Sequence, residues 1–230
     1  MDGLNCGFGS DDSPENVAEN RRLALERLGL AGNLVTAYQV HSAKAVRVED
    51  PWARENAPQA DAMVSGRSGV VLGILTADCV PVLFADASAR VVGAAHAGWR
   101  GARDGVLQSC LGEMVALGAN PANINAAIGP CIAQASYEVG PEFHQDFIDQ
   151  DAANAAFFIA AKRPDHFMFD LPGYVARVLS GQGLASLTNL AVDTCADPER
   201  FYSYRRCTLN GEKDYGRLLS AIALEQPALK

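Results

Sequence analysis

Apolar residues gather in short blocks along this chain, and the way each block alternates with polar positions predicts its elements. Val70–Leu75, Val80–Ala85 and Arg90–Ala95 are nearly continuous apolar runs. Strands of that kind are covered on both faces, which points to a layered domain. The break at Asp86–Arg90 reads as a hairpin loop, so its flanking strands are expected to be antiparallel. Leu34–Val40 predicts a strand, and the alternating Lys44–Glu49 predicts a half-exposed partner beside it. Ala60–Ser65 predicts a third short strand and Asn123–Ile128 another, with a further one near Leu190–Val192.

Helical spacing marks the remainder. Ser13 can cap a helix whose first position is Pro14. Val17, Ala24, Leu25 and Leu28 then give it an apolar face before Gly29 stops it. Val106, Leu107, Cys110, Leu111, Met114 and Leu117 share one face of a helix over about 102–117. Pro141–Ile148 predicts a short helix, and Asp170 caps another running to about Leu179. Asp151–Arg163 fits strand or helix, as does the tail Arg217–Leu224. No repeat, low-complexity tract or linker interrupts the pattern, so residues 1–230 are expected to form a single domain.

Composition narrows the function. The 230 residues carry a formal net charge of −8 and no basic stripe, which argues against a nucleic-acid polymer as partner. A small ligand in a local pocket remains open, for a monomer or small homo-oligomer. The opening Met1–Asn5 has no basic start followed by an apolar stretch, and no apolar run approaches the roughly 20 residues of a membrane helix. Six cysteines occur without a C-x-x-C pair; they read as reduced thiols in a cytoplasmic protein with no membrane partner.

Three candidate residues for chemistry sit at strand ends: His41, Cys79 and His96. Two imidazoles and a thiolate suit zinc with its fourth tetrahedral position open. The same atoms suit a Cys–His nucleophile pair or, with a distant methionine, a copper site. Four histidines in the whole chain are too few for a multicopper cluster. Gly98–Ala102 turns into a helix whose first N–H groups, with Arg100, could hold an anion; an ordinary turn with a surface arginine fits equally well. Arg205 and Arg206, behind two tyrosines, are open in the same way. There is no H-E-x-x-H, P-loop, G-x-S-x-G or G-x-G-x-x-G. Pro130-Cys131-Ile132-Ala133 fails the last position of the nucleobase-deaminase signature.

Taken in order, Gln39-Val40-His41, Thr76–Pro81, His96–Gly101, Ile128–Ile132, Tyr137–Gly140 and Phe201–Arg206 resemble the signatures of the YfiH-like laccase-domain family. That family includes bacterial "polyphenol oxidase" proteins and human FAMIN. The resemblance implies an α+β layered fold, with sandwiched mixed β-sheets flanked by helices. It implies a metal, zinc or alternatively copper, on His41, Cys79 and His96. It also implies purine nucleoside phosphorolysis with adenosine deamination, on a small nucleoside and phosphate. The alternatives within the family are copper-dependent phenol oxidation, or a Cys–His hydrolase editing peptidoglycan precursors.

The roles that follow are expectations. Arg100 or Arg205 and the helix start would hold phosphate, Asp78 would shuttle a proton, and Cys79 would ligate metal or act as nucleophile. Gln39, Gly98, Trp99, Tyr204 and Arg206 would contact substrate. Family members begin with a strand bearing a Thr-Arg-x-Gly-Gly-like motif, and this chain is expected to lack it.

Overall fold

The computed structural model describes residues 3–225. Residues 1–2 and 226–230, which the single-domain reading and the N-terminal reading included, lie outside them. In chain order the elements are α1 (Pro14–Arg27), β1 (Asn33–Val35), β2 (Ala45–Arg47), β3 (Ala62–Ser65), β4 (Val70–Thr76), β5 (Val80–Asp86) and β6 (Val91–Ala97). Then come α2 (Trp99–Asp104), α3 (Val106–Ala116), β7 (Asn125–Ile128), β8 (Glu138–Val139), α4 (Pro141–Gln150), β9 (Phe158–Ala160) and β10 (Phe167–Phe169). The last are α5 (Leu171–Ser180), β11 (Ser186–Asn189), α6 (Tyr204–Asn210) and β12 (Leu218–Ala223).

A six-stranded mixed sheet in the order β11-β7-β5-β6-β3-β2 forms the central layer. Its apolar side chains divide by parity, as a pleated strand requires. Val80, Val82 and Phe84 of β5 pack with Val106, Leu107, Cys110 and Met114 of α3 and with Val175 and Leu179 of α5. Met63, Val92 and Ala94 point the other way and meet Leu72 and Ile74 of β4 in a second sheet, β1-β4-β12. Both faces of the central sheet are therefore covered, which explains the unbroken apolar runs. The fold is the expected α+β layering of helices, sheet and sheet. A small sheet, β8-β10-β9, is backed by clustered aromatic rings that include Phe143, Phe147, Phe158 and Phe169.

The hairpin at 86–90 is antiparallel, as expected. Other expectations change. The strand read over Leu34–Val40 ends at Val35, leaving only an isolated bridge between Tyr38 and Gln59. β2 pairs in parallel with β3 and not with β1. The helix read over 102–117 begins earlier and is broken at Gly105, whose φ of 101° ends α2 and opens α3. The strand near Leu190–Val192 lies upstream, at Ser186–Asn189, and the tail is a strand, β12. Helix α1 has its Ser13 cap, but of its expected apolar face only Val17 is buried and Leu28 is exposed. Residues 151–163 form a short 3-10 turn followed by β9. No helix among the described residues is long and apolar enough to cross a membrane.

The layering has one consequence for the site. β4 lies in the second sheet and β5 in the central one, so the turn at 77–79 carries the chain from layer to layer.

Candidate metal centre

Three donors converge at that crossing. Cys79 ends the turn, His96 lies on β6 opposite Pro81, and His41 follows β1 in a loop. Their ligand atoms all lie within 4.8 Å of one another, and Cys79 Sγ is 3.7 Å from His41 Nε2. The two imidazole rings meet edge to face, with centroids 4.8 Å apart. His96 is buried, Cys79 half-buried and His41 exposed, so the cluster has one open side.

Asp61, which the sequence pattern gave only as part of a strand, holds two of these residues in place. It sits just before β3, fully buried. Its Oδ1 accepts from the His41 backbone N–H at 3.0 Å and lies 2.8 Å from His96 Nδ1. Its Oδ2 accepts from the Ser42 N–H at 2.6 Å, the Ser42 hydroxyl at 2.8 Å and the Val40 N–H at 3.2 Å. His41 has φ 60°, a left-handed conformation that costs about 1–2 kcal/mol for a residue with a side chain. The buried N–H bonds offset that cost. With Nδ1 engaged by the carboxylate, His96 keeps Nε2 for a ligand, the usual support for a metal-binding imidazole.

Charge inside the cluster is coupled. Burial pushes the Cys79 thiol up, but the His96 charge and the contact with His41 outweigh it and bring the thiol down to about 6. Burial also opposes charge on His96, yet Cys79 and Asp61 outweigh it and raise the imidazole to about 9. Each partner thus favours the charged form of the other, and a cation held by the two would take the place of the imidazole proton. Tetrahedral zinc, with bonds of about 2.3 Å to sulfur and 2.0 Å to nitrogen, would separate the two donors by about 3.6 Å. The Cys79–His41 pair, at 3.7 Å, has that spacing, within a set of three donors that lie up to 4.8 Å apart, and the donor types also suit copper.

The remaining expected residues divide. Asp78 is not in a strand but in the turn, at φ 83°. Its buried carboxylate accepts from the Thr194 hydroxyl at 2.7 Å, the Ser203 hydroxyl at 2.9 Å and the Arg205 N–H at 2.6 Å. That work anchors the Arg205 segment. Arg206 donates to the carbonyls of Thr194, Cys195 and Phe201, which turns its guanidinium into the loop. Gln39 pairs its side-chain amide with both backbone groups of Leu75, at 2.7 and 2.9 Å. Gly98 packs against the cluster so closely that a Cβ would lie 2.6 Å from His41 Cδ2 and 3.1 Å from Cys79 Sγ. The helix it opens is short, Trp99–Asp104, with six residues.

Two cavities share His41, Ala77 and Cys79 as a common border. The smaller, about 260 Å³, is lined by Trp99, Ile132, Tyr137, Leu171, Tyr204, Arg100 and Arg205. Arg100 lies 4.8 Å from the Trp99 ring and Arg205 lies 5.2 Å from the Tyr137 ring, cations against aromatic faces. The larger, about 350 Å³, is reached by Phe8, Arg21, Arg54, Thr76, Tyr215 and Arg217, of which the sequence pattern marked only Thr76, as part of a family signature. One signal was available for Asp61: an acidic residue opening an otherwise apolar strand needs a buried partner. No local signal marks three arginines from distant segments.

Comparison with known proteins agrees along nearly the whole chain. Residues 1–225 match the family model described as multi-copper polyphenol oxidoreductase laccase. The chain is 34% identical over 209 residues to "Purine nucleoside phosphorylase RC0672" of Rickettsia conorii, covering 91% of this chain and 85% of that protein. It is 37% identical over 231 residues to "Purine nucleoside phosphorylase YfiH" of Escherichia coli, covering 97% and 87%. The crystal structure of protein NMB0706 from Neisseria meningitidis superposes with a TM-score of 0.84 at 32% identity, over 97% of this chain and 87% of that one.

Proposed function

The chain belongs to the multi-copper polyphenol oxidoreductase laccase family, and from that premise we propose that it is a zinc-dependent purine nucleoside phosphorylase that also deaminates adenosine. One observation carries the reading: the His41–Cys79–His96 cluster opens onto a cavity that combines aromatic faces with cations. Flat heterocycles stack on such walls, and guanidinium groups bind oxyanions and polar ring edges. The names of the curated relatives supply the reaction class.

A metal on His41, Cys79 and His96 would supply Lewis-acid chemistry. This chain's residues do the rest. Trp99 and Tyr137 flank the base, and Arg205, held by Asp78 through its backbone N–H, faces the same space. Gly98 has no side chain, which leaves His41 and Cys79 the room they occupy beside it. In phosphorolysis a phosphate oxygen bonds to the ribose anomeric carbon, the glycosidic bond breaks, and the purine leaves with a proton on its ring nitrogen. In deamination water replaces the exocyclic amine, which leaves as ammonia.

Incubation of purified protein with adenosine, with and without phosphate, tests this. Adenine and ribose-1-phosphate are expected only when phosphate is present, and inosine in both cases. Absence of base release under either condition would refute phosphorolysis.

A second reading, copper-dependent phenol oxidation, is favoured by the family's description and by a donor set that copper accepts. Against it, the chain has four histidines, and the described residues hold one three-donor cluster. Neither cavity is lined by a methionine. Oxygen consumption with a phenol, dependent on added copper, would support it. Loss of activity on Cys79 alkylation in metal-free protein would point to the hydrolase.

A further inference from the structure

We propose that the larger cavity is a phosphate site, in which Arg21, Arg54 and Arg217 and the Thr76 hydroxyl hold a phosphate dianion beside the cluster. Its place as the co-substrate pocket rests on the phosphorylase reading above; the binding itself stands on separate observations.

The first is charge. In a chain of net charge −8, three guanidinium groups line one cavity that has no aspartate or glutamate in its wall. Arg21 and Arg54 each lie 4.4 Å from the centre of the Phe8 ring, so two like charges are gathered on one side chain. Neither has a carboxylate partner among the described residues. Arg21 donates its Nε–H to the Cys6 carbonyl at 2.8 Å, and its other N–H groups have no protein acceptor there. Arg217 donates to the Tyr215 carbonyl, lies 4.2 Å from the Tyr215 ring and has a loose ion pair with Asp214 at 3.8 Å. Burial also works against charge on Arg21, lowering it to about 10, and Arg54 adds to the effect. Such an arrangement calls for an anion.

The second is an orphan hydroxyl. Thr76 is 2% exposed, lines this cavity, and is the one buried side-chain polar atom without a hydrogen-bond partner among the described residues. Native structures satisfy such groups or reserve them for a ligand. A phosphate oxygen accepting from Thr76 would supply the missing partner while arginines take the others. Arginines lie against aromatic rings in both cavities, but the smaller one has no buried orphan hydroxyl among the described residues, so Thr76 is what sets the larger apart.

The chemistry identifies a phosphate dianion, either inorganic or carried by a nucleoside monophosphate. Calorimetric titration of the full-length protein with inorganic phosphate, and separately with adenosine monophosphate, separates the two sources. Phosphate binding is expected in the wild type and at least tenfold weaker in Arg54→Gln, an exposed position whose replacement leaves the core untouched. Arg100→Gln should bind phosphate as the wild type does. Thr76→Val should weaken phosphate several-fold without lowering the melting temperature, whereas a purely structural hydroxyl would leave affinity unchanged. Tighter binding of the monophosphate, lost in Arg54→Gln, assigns the site to a phosphorylated ligand and keeps the proposal. Wild-type affinity for both ligands in Arg54→Gln, or loss of phosphate binding in Arg100→Gln, overturns it. Phosphate binding without adenosine cleavage would reject phosphorolysis and leave this site standing. Cleavage with an unchanged phosphate KM in Arg54→Gln would do the reverse.

Discussion

Asp61 and Asp78 use buried carboxylates in the same manner on two sides of the cluster, each accepting N–H and O–H groups from a segment that carries a functional side chain. Asp61 adds His96 Nδ1, so its replacement by Asn keeps the volume but loses the charge that orients the imidazole. Asp61→Asn is expected to weaken zinc 10–100-fold, measured by competition with a chromogenic chelator. A second readout follows from titration. Burial pushes the Asp61 carboxyl up, but His96 and Ser42 outweigh it and hold it near 2. The group therefore binds its proton more weakly folded than unfolded. Its contribution of about 2 kcal/mol is present above about pH 4 and lost as pH falls through 2. Urea unfolding across that range should show a shallower acid decline in the variant. The donor triad was legible in the sequence because residue types announce it. The carboxylate left only a hint, an acid opening an apolar strand, since its partners in the 40–42 loop and on β6 meet it only after folding.

Elements set the next limit. Periodicity gave the buried face of α3 correctly, because 106, 107, 110, 111 and 114 recur at helical spacing whatever the context. The sheet assignment of β4 and β5 was beyond reach: both are equally apolar, and the three-residue turn between them does not record that it changes layers. That turn and Gly98 bring Cys79 and His41 within reach of each other. Gly98→Ala should force His41 aside, since a Cβ at 2.6 Å from its ring is closer than packed atoms allow. Bound zinc per chain should fall several-fold in that variant while far-ultraviolet circular dichroism stays unchanged. Full metal content would show that His41 relocates without loss of ligation.

At the scale of the molecule, residues from the two ends build the larger cavity together. The Arg217 N–H donates to Asn5 Oδ1 at 2.9 Å, and the Cys6 N–H donates to the Arg217 carbonyl at 3.0 Å. Asn5 is fully buried and also donates to Ser10 and Asp12. Asn5→Ala would leave several of these groups unpaired, at a cost of about 2–3 kcal/mol. Urea melts should show it, with phosphate affinity falling in the same variant if the arginine is displaced. This clasp was invisible in the sequence, because 212 residues separate its halves.

The clasp also bears on the order in which the pocket can be built. A nascent chain emerges from its ribosome in order, so Asn5 and Arg21 are outside long before Arg217 has been joined to them. β12 pairs with β4 and Arg217 lines the pocket, so both the second sheet and the cavity wall wait on this segment. Loss of the segment that carries Arg217 would leave His41, Cys79 and His96 in the sequence and remove one wall of the cavity beside them.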